Sequence, residues 1–471
     1  MPRLLLAAAA LMLLVTAGSA APVAAPPNII LVLIDDMGWG DFSSFGNREA
    51  RTGHIDRLAA EGRRFESFYV NAPICSPSRA AILTGQYPQR WRIGSYLGNR
   101  RLNEARGIAQ WLDPAAPTLP RALQRAGYAT GHFGKWHLGG QRDVGDAPSI
   151  AAYGFDASLT NFEGLGPRVL PLLDPFDGTA PQRYALGSDK LGGDITWHDR
   201  SQVTSRFVSG ALAFITRAEA AGRPFYLNLW PDDVHSPFFP PRDRRGDGSK
   251  RALYLGVLEA MDEQLGVLFD HVRASERLRN NTLILVMSDN GPEPGAGTAG
   301  PFRGTKGMLY EGGVRSPLIV WGPGMMRRPA IGSVDRQSVI AAMDLAPSLL
   351  QLAGAAPGPG AGQDGVPMQD VLLGKARERR ATRIFFRRPP DRDRIDGHDD
   401  LPDLAVRDGR WKLLCEYDGS EPQLYDLIDD PDEGTDVAAR HPARVRTLTK
   451  ALLAWHRSMP ADAGATYTAA P

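Results

Sequence analysis

Cysteine and lysine are scarce in this chain. Only two cysteines, Cys75 and Cys415, and seven lysines occur among 471 residues, whereas arginine supplies the other 47 basic side chains. Two cysteines cannot form a disulfide framework. The formal net charge of +1 gives no electrostatic reason to expect a nucleic acid partner, and we predict none.

Long apolar runs are also rare, and the longest lies at the N-terminus. Arg3 precedes an unbroken apolar stretch at residues 4–15, and small residues follow at 17–21. This order is typical of a secretory signal, so residues 1–21 are predicted to be a signal peptide and the mature protein to be exported, periplasmic or secreted. The run is too short to span a bilayer comfortably, so an uncleaved anchor is the weaker alternative. We expect no stable membrane insertion after cleavage.

Shorter apolar runs predict buried strands at residues 29–34, 225–230 and 283–287. Apolar residues at helical spacing predict helices at 55–62, 118–126, 201–220 and 253–272. This alternation indicates an α/β catalytic domain over residues 28–360, with a large mixed, mainly parallel sheet sandwiched by helices.

A glycine- and proline-rich stretch at 354–365 predicts a boundary loop. Beyond it, residues 404–414 predict a hairpin that turns at Asp408 and Gly409, residues 423–427 a further strand, and residues 439–456 a closing helix. We therefore expect a smaller α+β domain over 375–471 with an antiparallel sheet. The arginine-rich stretch 377–394 is interpreted as a solvated loop, with contact to an anionic substrate as the alternative.

Acidic and amide side chains follow two of the predicted strands. Asp35 and Asp36 come after the first, and Asp289 and Asn290 after the run at 283–287. Ligands of open α/β sheets bind beyond the carboxyl ends of the strands. An all-oxygen set suits Ca²⁺, or alternatively Mg²⁺, better than Zn²⁺. Any one of these aspartates alone is better explained as a turn cap, but the two strand ends together favour a metal site.

Cys75 lies in the run Cys75-Ser76-Pro77-Ser78-Arg79. Proline suits the first turn of a helix, whose free N–H groups favour an anion, so Cys75 is expected at a helix N-terminus close to a fixed cation. The structural alternative is a small buried cysteine.

Three further blocks contain cationic or titratable groups. They are Gly134-Lys135-Trp136-His137-Leu138-Gly139, Val234-His235-Ser236-Pro237 and Gly304-Thr305-Lys306. Each histidine alone is more often structural, and each lysine more often solvated. The functional hypothesis is based on the combination of these blocks with the acidic residues at the strand ends, not on any one of them.

In order and in local pattern, these blocks resemble the type I sulfatases of the alkaline phosphatase superfamily, with their C-x-P-S-R, G-K-W-H-x-G and H-x-P elements. The resemblance covers most of residues 28–315 in discontinuous blocks and resumes at 405–432, whereas 140–199 and 377–401 match poorly. It implies an alkaline phosphatase/sulfatase-like fold. It also implies that a formylglycine-generating maturation enzyme oxidises Cys75 to formylglycine.

The same resemblance implies roles for the individual residues. Cys75, as formylglycine hydrate, is the nucleophile, which Arg79 and Lys135 hold and activate, and His137 is the base for sulfate expulsion. Sulfate is bound by Lys135, His235 and Lys306. The metal ligands are Asp35, Asp36, Cys75, Asp289 and Asn290. A further polar residue is expected within 140–199, but the sequence does not place it.

The predicted function is hydrolysis of an aryl sulfate or a sulfated carbohydrate to an alcohol and inorganic sulfate. A phosphonate monoester or phosphodiester hydrolase of the same superfamily would share the signature. A two-zinc phosphatase is disfavoured, because its extra histidine and aspartate ligands are not evident. The non-enzymatic alternative is a protein that binds sulfated glycans with Cys75 unmodified.

Overall fold

The computed structural model describes residues 25–358, 362–377, 380–391 and 394–460. The predicted signal peptide, residues 1–21, lies outside these ranges. Within them, no helix combines the length and the apolar character that crossing a membrane requires.

The described residues form strands that belong to two sheets. In chain order they are β1 Asn28–Ile34, β2 Arg63–Tyr69, β3 Ala129–Gly134, β4 Ala157–Thr160, β5 Arg168–Leu173, β6 Gln182–Arg183, β7 Ile195–Asp199, β8 Phe225–Trp230, β9 Thr282–Ser288, β10 Arg315–Trp321, β11 Ser333–Asp335, β12 Ile340–Ala341, β13 Ile384–Arg387, β14 Leu404–Asp408, β15 Trp411–Cys415 and β16 Gln423–Asp426.

The larger sheet has twelve strands in the order β11-β2-β10-β9-β1-β8-β3-β4-β5-β6, with β12 beside β2 and β7 beside β5. Most of its pairs are parallel, and β10 runs antiparallel to both of its neighbours. The smaller sheet, β13-β14-β15-β16, is antiparallel throughout. The predicted fold class, with a large mainly parallel sheet and a small antiparallel one, is confirmed.

The helices of the described residues are α1 Gly53–Glu61, α2 Cys75–Thr84, α3 Arg100–Ala105, α4 Leu119–Arg125, α5 Val203–Ala220, α6 Lys250–Ala274, α7 Glu276–Asn281, α8 Glu311–Val314, α9 Leu345–Leu352, α10 Gln369–Leu372 and α11 Pro442–Ser458. Helices cover both faces of the larger sheet, whereas α11 packs against β14 and β15 of the smaller one.

The central strand β1 is apolar from Ile29 to Ile34, and its packing explains why. Ile29, Leu31 and Leu33 pack into the core shared with α2, α4 and α9, whereas the alternate residues pack on the opposite face with α1, α5 and α6. Side chains of a strand alternate between the faces, so a strand covered on both sides needs apolar residues at every position. The predicted helices at 55–62, 118–126, 201–220 and 253–272 are confirmed as α1, α4, α5 and α6.

Two expectations for the C-terminal region need correction. The hairpin turns at Gly409 and Arg410, one residue later than predicted, because Asp408 still pairs with Trp411. The stretch 377–394 is not a solvated loop throughout, since it contains β13, in which Ile384 is 1% exposed. The apolar alternation in β13 is too short to stand out among the surrounding arginines.

A buried ionic cluster joins the small sheet to the larger one. Lys412 of β15 contacts Glu311 of α8 at 2.9 Å and Glu433 at 3.0 Å, and all three are fully buried. Burial opposes ionisation of Glu311, but Lys412 and Arg315 lower its pKa to about 2. Burial raises the pKa of Glu433 to about 7.

Lys412→Met is expected to lower the free energy of unfolding by about 3–5 kcal/mol, because it leaves buried carboxylates without their shared cation. Urea denaturation measures the change. Lys250→Met is the matched control: the Lys250 side chain is 48% exposed and pairs with Glu293 at 3.3 Å, so its loss should cost less than about 1 kcal/mol. Equal losses in the two variants would contradict the role given to the cluster.

Candidate active site

The carboxyl ends of three neighbouring strands meet at one edge of the larger sheet. β1 lies between β8 and β9 and runs parallel to both. Asp35 and Asp36 follow β1, His235 lies in the loop after β8, and Asp289 and Asn290 follow β9. The structure therefore brings together residues that are up to about 250 positions apart in the sequence, at the edge where the topology predicts a ligand site.

The three aspartates form a buried carboxylate cluster. All are fully buried, and one oxygen of each lies within 4.8 Å of the others. The Asp36 backbone N–H donates to Asp289 Oδ1 at 3.2 Å, and Asn290 Nδ2 donates to Asp36 Oδ1 at 2.8 Å. Buried like charges are costly, so the cluster requires cations around it.

Arg79 supplies one of these cations from helix α2. Its Nη2 lies 2.7 Å from Asp289 Oδ2 and 3.3 Å from Asp35 Oδ1, and its Nη1 donates to the Lys135 carbonyl at 2.8 Å. The guanidinium also stacks 5.2 Å from the ring centroid of Trp230. Arg79 is fully buried and fixed on several sides, so it acts as a rigid positive charge.

Two of the seven lysines complete the cationic set. Lys135 Nζ lies 2.6 Å from Asp35 Oδ2, and Lys306 Nζ lies 2.5 Å from Asp36 Oδ2. Burial opposes ionisation of Asp35 and Asp36. The lysines nonetheless hold the pKa of both carboxyl groups below its usual value. Both aspartates are therefore ionised at neutral pH.

Cys75 is the first residue of α2, at the expected helix N-terminus, and Pro77 lies in the first turn. Its sulfur, the nearest Asp35 carboxylate oxygen and a ring nitrogen of His235 all lie within 4.8 Å of one another. Burial raises the pKa of the Cys75 thiol far above its ordinary value, and Asp35 adds to this effect, although Lys135 opposes it. The thiol is therefore protonated at neutral pH, and a protonated thiol is a poor nucleophile.

His137 lies in the buried segment that follows β3. Its Nε2 must donate to the Leu97 carbonyl, 2.8 Å away, because a carbonyl oxygen only accepts; Nδ1 is buried without a hydrogen-bond partner among the described residues. Burial lowers the pKa of His137 well below its ordinary value, and Lys135 and Arg79 lower it further. The ring is thus neutral, with the Nδ1 lone pair available as a base.

The site opens to solvent at His235 and Lys306. The His235 side chain is 31% exposed and that of Lys306 12%, whereas those of Lys135 and His137 are 3% and 4% exposed. His235 Nδ1 donates to the Ser236 carbonyl at 2.7 Å, which leaves Nε2 facing Asp36 Oδ2 at 3.5 Å. Of these four side chains, His235 and Lys306 are therefore the most accessible from solvent.

Several observations fit a divalent cation at the carboxylate cluster. Asn290 Oδ1 is buried and accepts no hydrogen bond from the described residues, and Asp35 Oδ1 has a 3.3 Å ion-pair contact with Arg79 but no hydrogen bond of ordinary geometry. Burial raises the pKa of Asp289 to about 8, and the neighbouring Asp35 adds to this effect. A bound cation would use the Asn290 oxygen and favour the ionised form of Asp289. Carboxylate and amide oxygens are ligands that Ca²⁺ and Mg²⁺ prefer.

Two of these residues have an unusual backbone conformation. Asp36 and His137 adopt left-handed φ values of 57° and 56°. For residues other than glycine this conformation costs about 1–3 kcal/mol and concentrates at functional sites. The structure therefore fixes both side chains at the expense of local backbone strain.

Glu163 is a site residue that sequence reasoning missed. It lies between β4 and β5, in the poorly matching segment 140–199, and its Oε2 is 3.4 Å from His137 Nε2. Burial raises the pKa of Glu163 to about 7, although Lys135 and Arg142 oppose the shift. No local motif marks this glutamate, because its contact with His137 is set by how the loop folds back onto the segment after β3.

Glu163→Gln is expected to remove part of the pH dependence of stability. A carboxyl group whose folded-state pKa is raised stabilises the protein at low pH, and that contribution is lost as the pH rises. Relative to the variant, the wild type should lose about 3 kcal/mol between pH 4.5 and about 7. Denaturant unfolding across this range measures the difference, and parallel profiles for the two proteins would contradict a buried, protonated Glu163.

Comparison with known proteins identifies the family. The sulfatase family model matches residues 27–355, and the model of the N-sulphoglucosamine sulphohydrolase C-terminal region matches residues 302–456. N-acetylgalactosamine-6-sulfatase of Canis lupus familiaris is 36% identical over 354 residues, which cover 73% of this chain and 65% of that protein. Arylsulfatase A of Bos taurus is 32% identical over 436 residues, covering 86% of this chain and 82% of that protein.

Solved structures share the fold. Ps i-CgsB, solved in complex with k-i-k-neocarrahexaose, has a TM-score of 0.75 at 24% identity and covers 92% of this chain and 94% of that one. Phosphonate monoester hydrolase of Agrobacterium radiobacter has a TM-score of 0.63 at 19% identity and covers 94% and 97%. The family match over most of the chain and the identities to curated relatives agree, and the chain belongs to the type I sulfatase family of the alkaline phosphatase superfamily.

Proposed function

We propose that this protein hydrolyses sulfate esters, with formylglycine formed from Cys75 as the nucleophile and a divalent cation in the carboxylate cluster. The observation that carries the proposal is the position of Cys75, buried at a helix N-terminus beside Asp35 and His235 with a thiol that stays protonated. A cysteine in this place is unsuited to act as a thiolate. The surrounding cations suit an anionic reacting group.

Formylglycine would supply a hydrated aldehyde. One of its hydroxyl oxygens could bond to sulfur as the ester S–O bond breaks and the alcohol leaves, and deprotonation of the other could then release sulfate and restore the aldehyde. Arg79 and Lys135 are fixed by Asp289 and Asp35 and would orient this group. Because they are buried and held in place, they can stabilise negative charge without reorganising during the reaction.

The two histidines have different environments and suit different steps. The neutral His137, with its free Nδ1, is suited to accept the proton that accompanies sulfate expulsion. His235 and Lys306 border the opening and are suited to bind the sulfate group, together with Lys135. One of the two at the opening would protonate the leaving oxygen, since charge builds there as the S–O bond breaks.

A calcium ion, with magnesium as the alternative, would be held by Asp35, Asp36, Asp289 and Asn290, with an oxygen of the modified Cys75. It would supply positive charge next to the reacting sulfate. The support is the close approach of the three buried carboxylates and the unpartnered Oδ1 of Asn290.

The processing and domain predictions belong to the same proposal. A formylglycine-generating maturation enzyme would act on Cys75, and the signal at residues 1–21 would direct the chain to the periplasm or the outside of the cell. A catalytic domain at 28–360 would be followed by a subdomain at 375–471, which agrees with the separation of the two sheets.

The relatives suggest the substrate class. Their names specify a sulfated amino sugar and an aryl sulfate, so we propose a sulfated carbohydrate or an aryl sulfate. Phosphonate monoester hydrolysis is the second candidate, because a hydrolase of that class shares this fold. Hydrolysis rates for an aryl sulfate, a phosphonate monoester and a phosphodiester separate the two, since clear preference for the phosphorus esters would overturn the proposal. A panel of sulfated sugars would then identify the leaving group.

A further inference from the structure

A second concentration of cationic side chains lies apart from the active site. A cavity of about 390 Å³ is located where β2 and β10 of the larger sheet meet the small antiparallel sheet. It shares no lining residue with the carboxylate cluster or with Cys75. Its lining contains five arginines and no acidic residue: Arg315, Arg336, Arg380, Arg407 and Arg410.

Most of these arginines have carboxylate partners outside the cavity lining. Arg336 pairs with Glu66 at 3.2 Å, and Arg410 pairs with Asp429 at 2.6 Å. These carboxylates are not among the residues that line the cavity, so the charged side chains of the lining are all arginines.

Arg407 differs, because no carboxylate forms an ion pair with it among the described residues. It is 8% exposed, its Nε donates to the Gly409 carbonyl at 3.2 Å, and its guanidinium stacks 4.4 Å from the Tyr69 ring centroid. Nη1 is buried without a hydrogen-bond partner in the described chain. Arg380, also 8% exposed, forms an ion pair with Asp344 through Nη1 but has two such nitrogens, Nε and Nη2. Unpaired buried donors of this kind are costly and are usually satisfied by a ligand or water.

We propose that this cavity is a second anion-binding site that takes a tetrahedral oxyanion, the sulfate or phosphate group of a small molecule or the free ion. Arginine presents several N–H donors in a planar fork that matches the oxygens of such groups. Two arginines with unused donors, held in a lining free of acidic residues, provide the charge and the hydrogen bonds. The inference does not rest on the proposed catalytic function.

One side of the cavity suits an organic part of the ligand. Val339, Ile384 and Ile428 contribute apolar lining, and Ile428 is 60% exposed. A ring that carries a sulfate ester would place its apolar face here and its charged group against the arginines, whereas a free ion would use the arginines alone. If the ligand is a sulfate ester, it should bind more tightly than the free ion; if the ligand is the free ion, the two should bind equally.

Crystals soaked in selenate test the site directly, because the anomalous signal of selenium locates each bound anion. We expect a peak beside Arg407 in the wild type and in Arg383→Gln, but not in Arg407→Gln. Arg383 is the matched control, since it pairs with Asp408 near the same hairpin at 3.1 Å without lining the cavity. No peak beside Arg407 in the wild type, or a peak that persists in Arg407→Gln, would overturn the proposal.

Calorimetric titration distinguishes a sulfate ester from the free ion as the ligand. It also includes a second variant, Arg336→Gln, in case Arg407→Gln does not fold. Inorganic sulfate and a sulfated disaccharide are titrated separately into full-length Cys75→Ala protein, in which hydrolysis is expected to be negligible, with and without the arginine substitutions, so that binding in the active site is common to every titration. Arg407→Gln should weaken binding at this site at least about tenfold, and Arg336→Gln, whose side chain is 67% exposed, should weaken it by less without affecting folding. Tighter binding of the disaccharide than of inorganic sulfate would identify a sulfate ester as the ligand, and equal binding would identify the free ion. Unchanged binding in both variants would refute the proposed site.

Discussion

Replacing Cys75 with alanine is expected to lower sulfate ester hydrolysis by at least about four orders of magnitude. Loss of a covalent nucleophile typically costs this much, because the remaining groups bind the substrate but cannot replace the missing bond-forming atom. Cys75 lies at the start of α2 beside Asp35 and His235. The hydroxyl groups of Ser76 and Ser78 in the same helix are already engaged, with the Leu97 N–H and the Ala72 carbonyl. Initial rates with an aryl sulfate measure the loss.

Cys415→Ala is the matched control for this variant. Cys415 is the other cysteine, is equally buried and lies at the end of β15, away from the carboxylate cluster. Its replacement should leave the rate within about threefold of wild type, since a small change of this kind alters packing rather than chemistry. A Cys75→Ala protein that is folded and retains a tenth of the wild-type rate would rule out Cys75 as the source of the nucleophile.

Asp289→Asn is expected to remove the response to calcium. In the wild type, calcium at about a hundred times its dissociation constant should stabilise the fold by about 2.7 kcal/mol, as any ligand specific for the native state does. The variant retains a side chain of the same shape but has one negative charge fewer in the cluster, where Asp289 Oδ2 also accepts hydrogen bonds from Arg79. Thermal unfolding with and without calcium measures binding separately from activity.

Activity should fall in the same variant at least about a hundredfold, because a bound cation contributes several kcal/mol of charge stabilisation. Asp41→Asn is the control: Asp41 is also a buried carboxylate close to β1, but it accepts hydrogen bonds from Gly38 and Tyr254 instead of joining the cluster. It should preserve the calcium response. If the wild type and Asp289→Asn, both treated with a metal chelator, were as active as the untreated wild type, the metal site would be refuted.

The parts of the fold that were predictable from the sequence are those with long apolar runs. β1, β8 and β9 are mostly apolar on both faces because both faces of the sheet are covered, and each was predicted within one residue. The ends of β1 and β9 then placed Asp35, Asp36, Asp289 and Asn290 at one edge, as the topology of a parallel sheet requires.

The features that were missed depend on contacts between distant segments. Strand β13 has only four residues, and its pairing with β14 rather than its own composition makes it a strand. Glu163 reaches His137 because a loop folds back onto the sheet edge. The arginine-lined cavity arises where two sheets meet, and its members span residues 315–410 without a shared motif.

Mass spectrometry of the tryptic peptide of residues 65–79 from active protein is the most direct test, because every catalytic role proposed here depends on Cys75 having been converted. We expect a peptide in which Cys75 has lost its sulfur and carries an aldehyde that reacts with a hydrazide reagent. Active protein in which Cys75 is a free thiol throughout would contradict it.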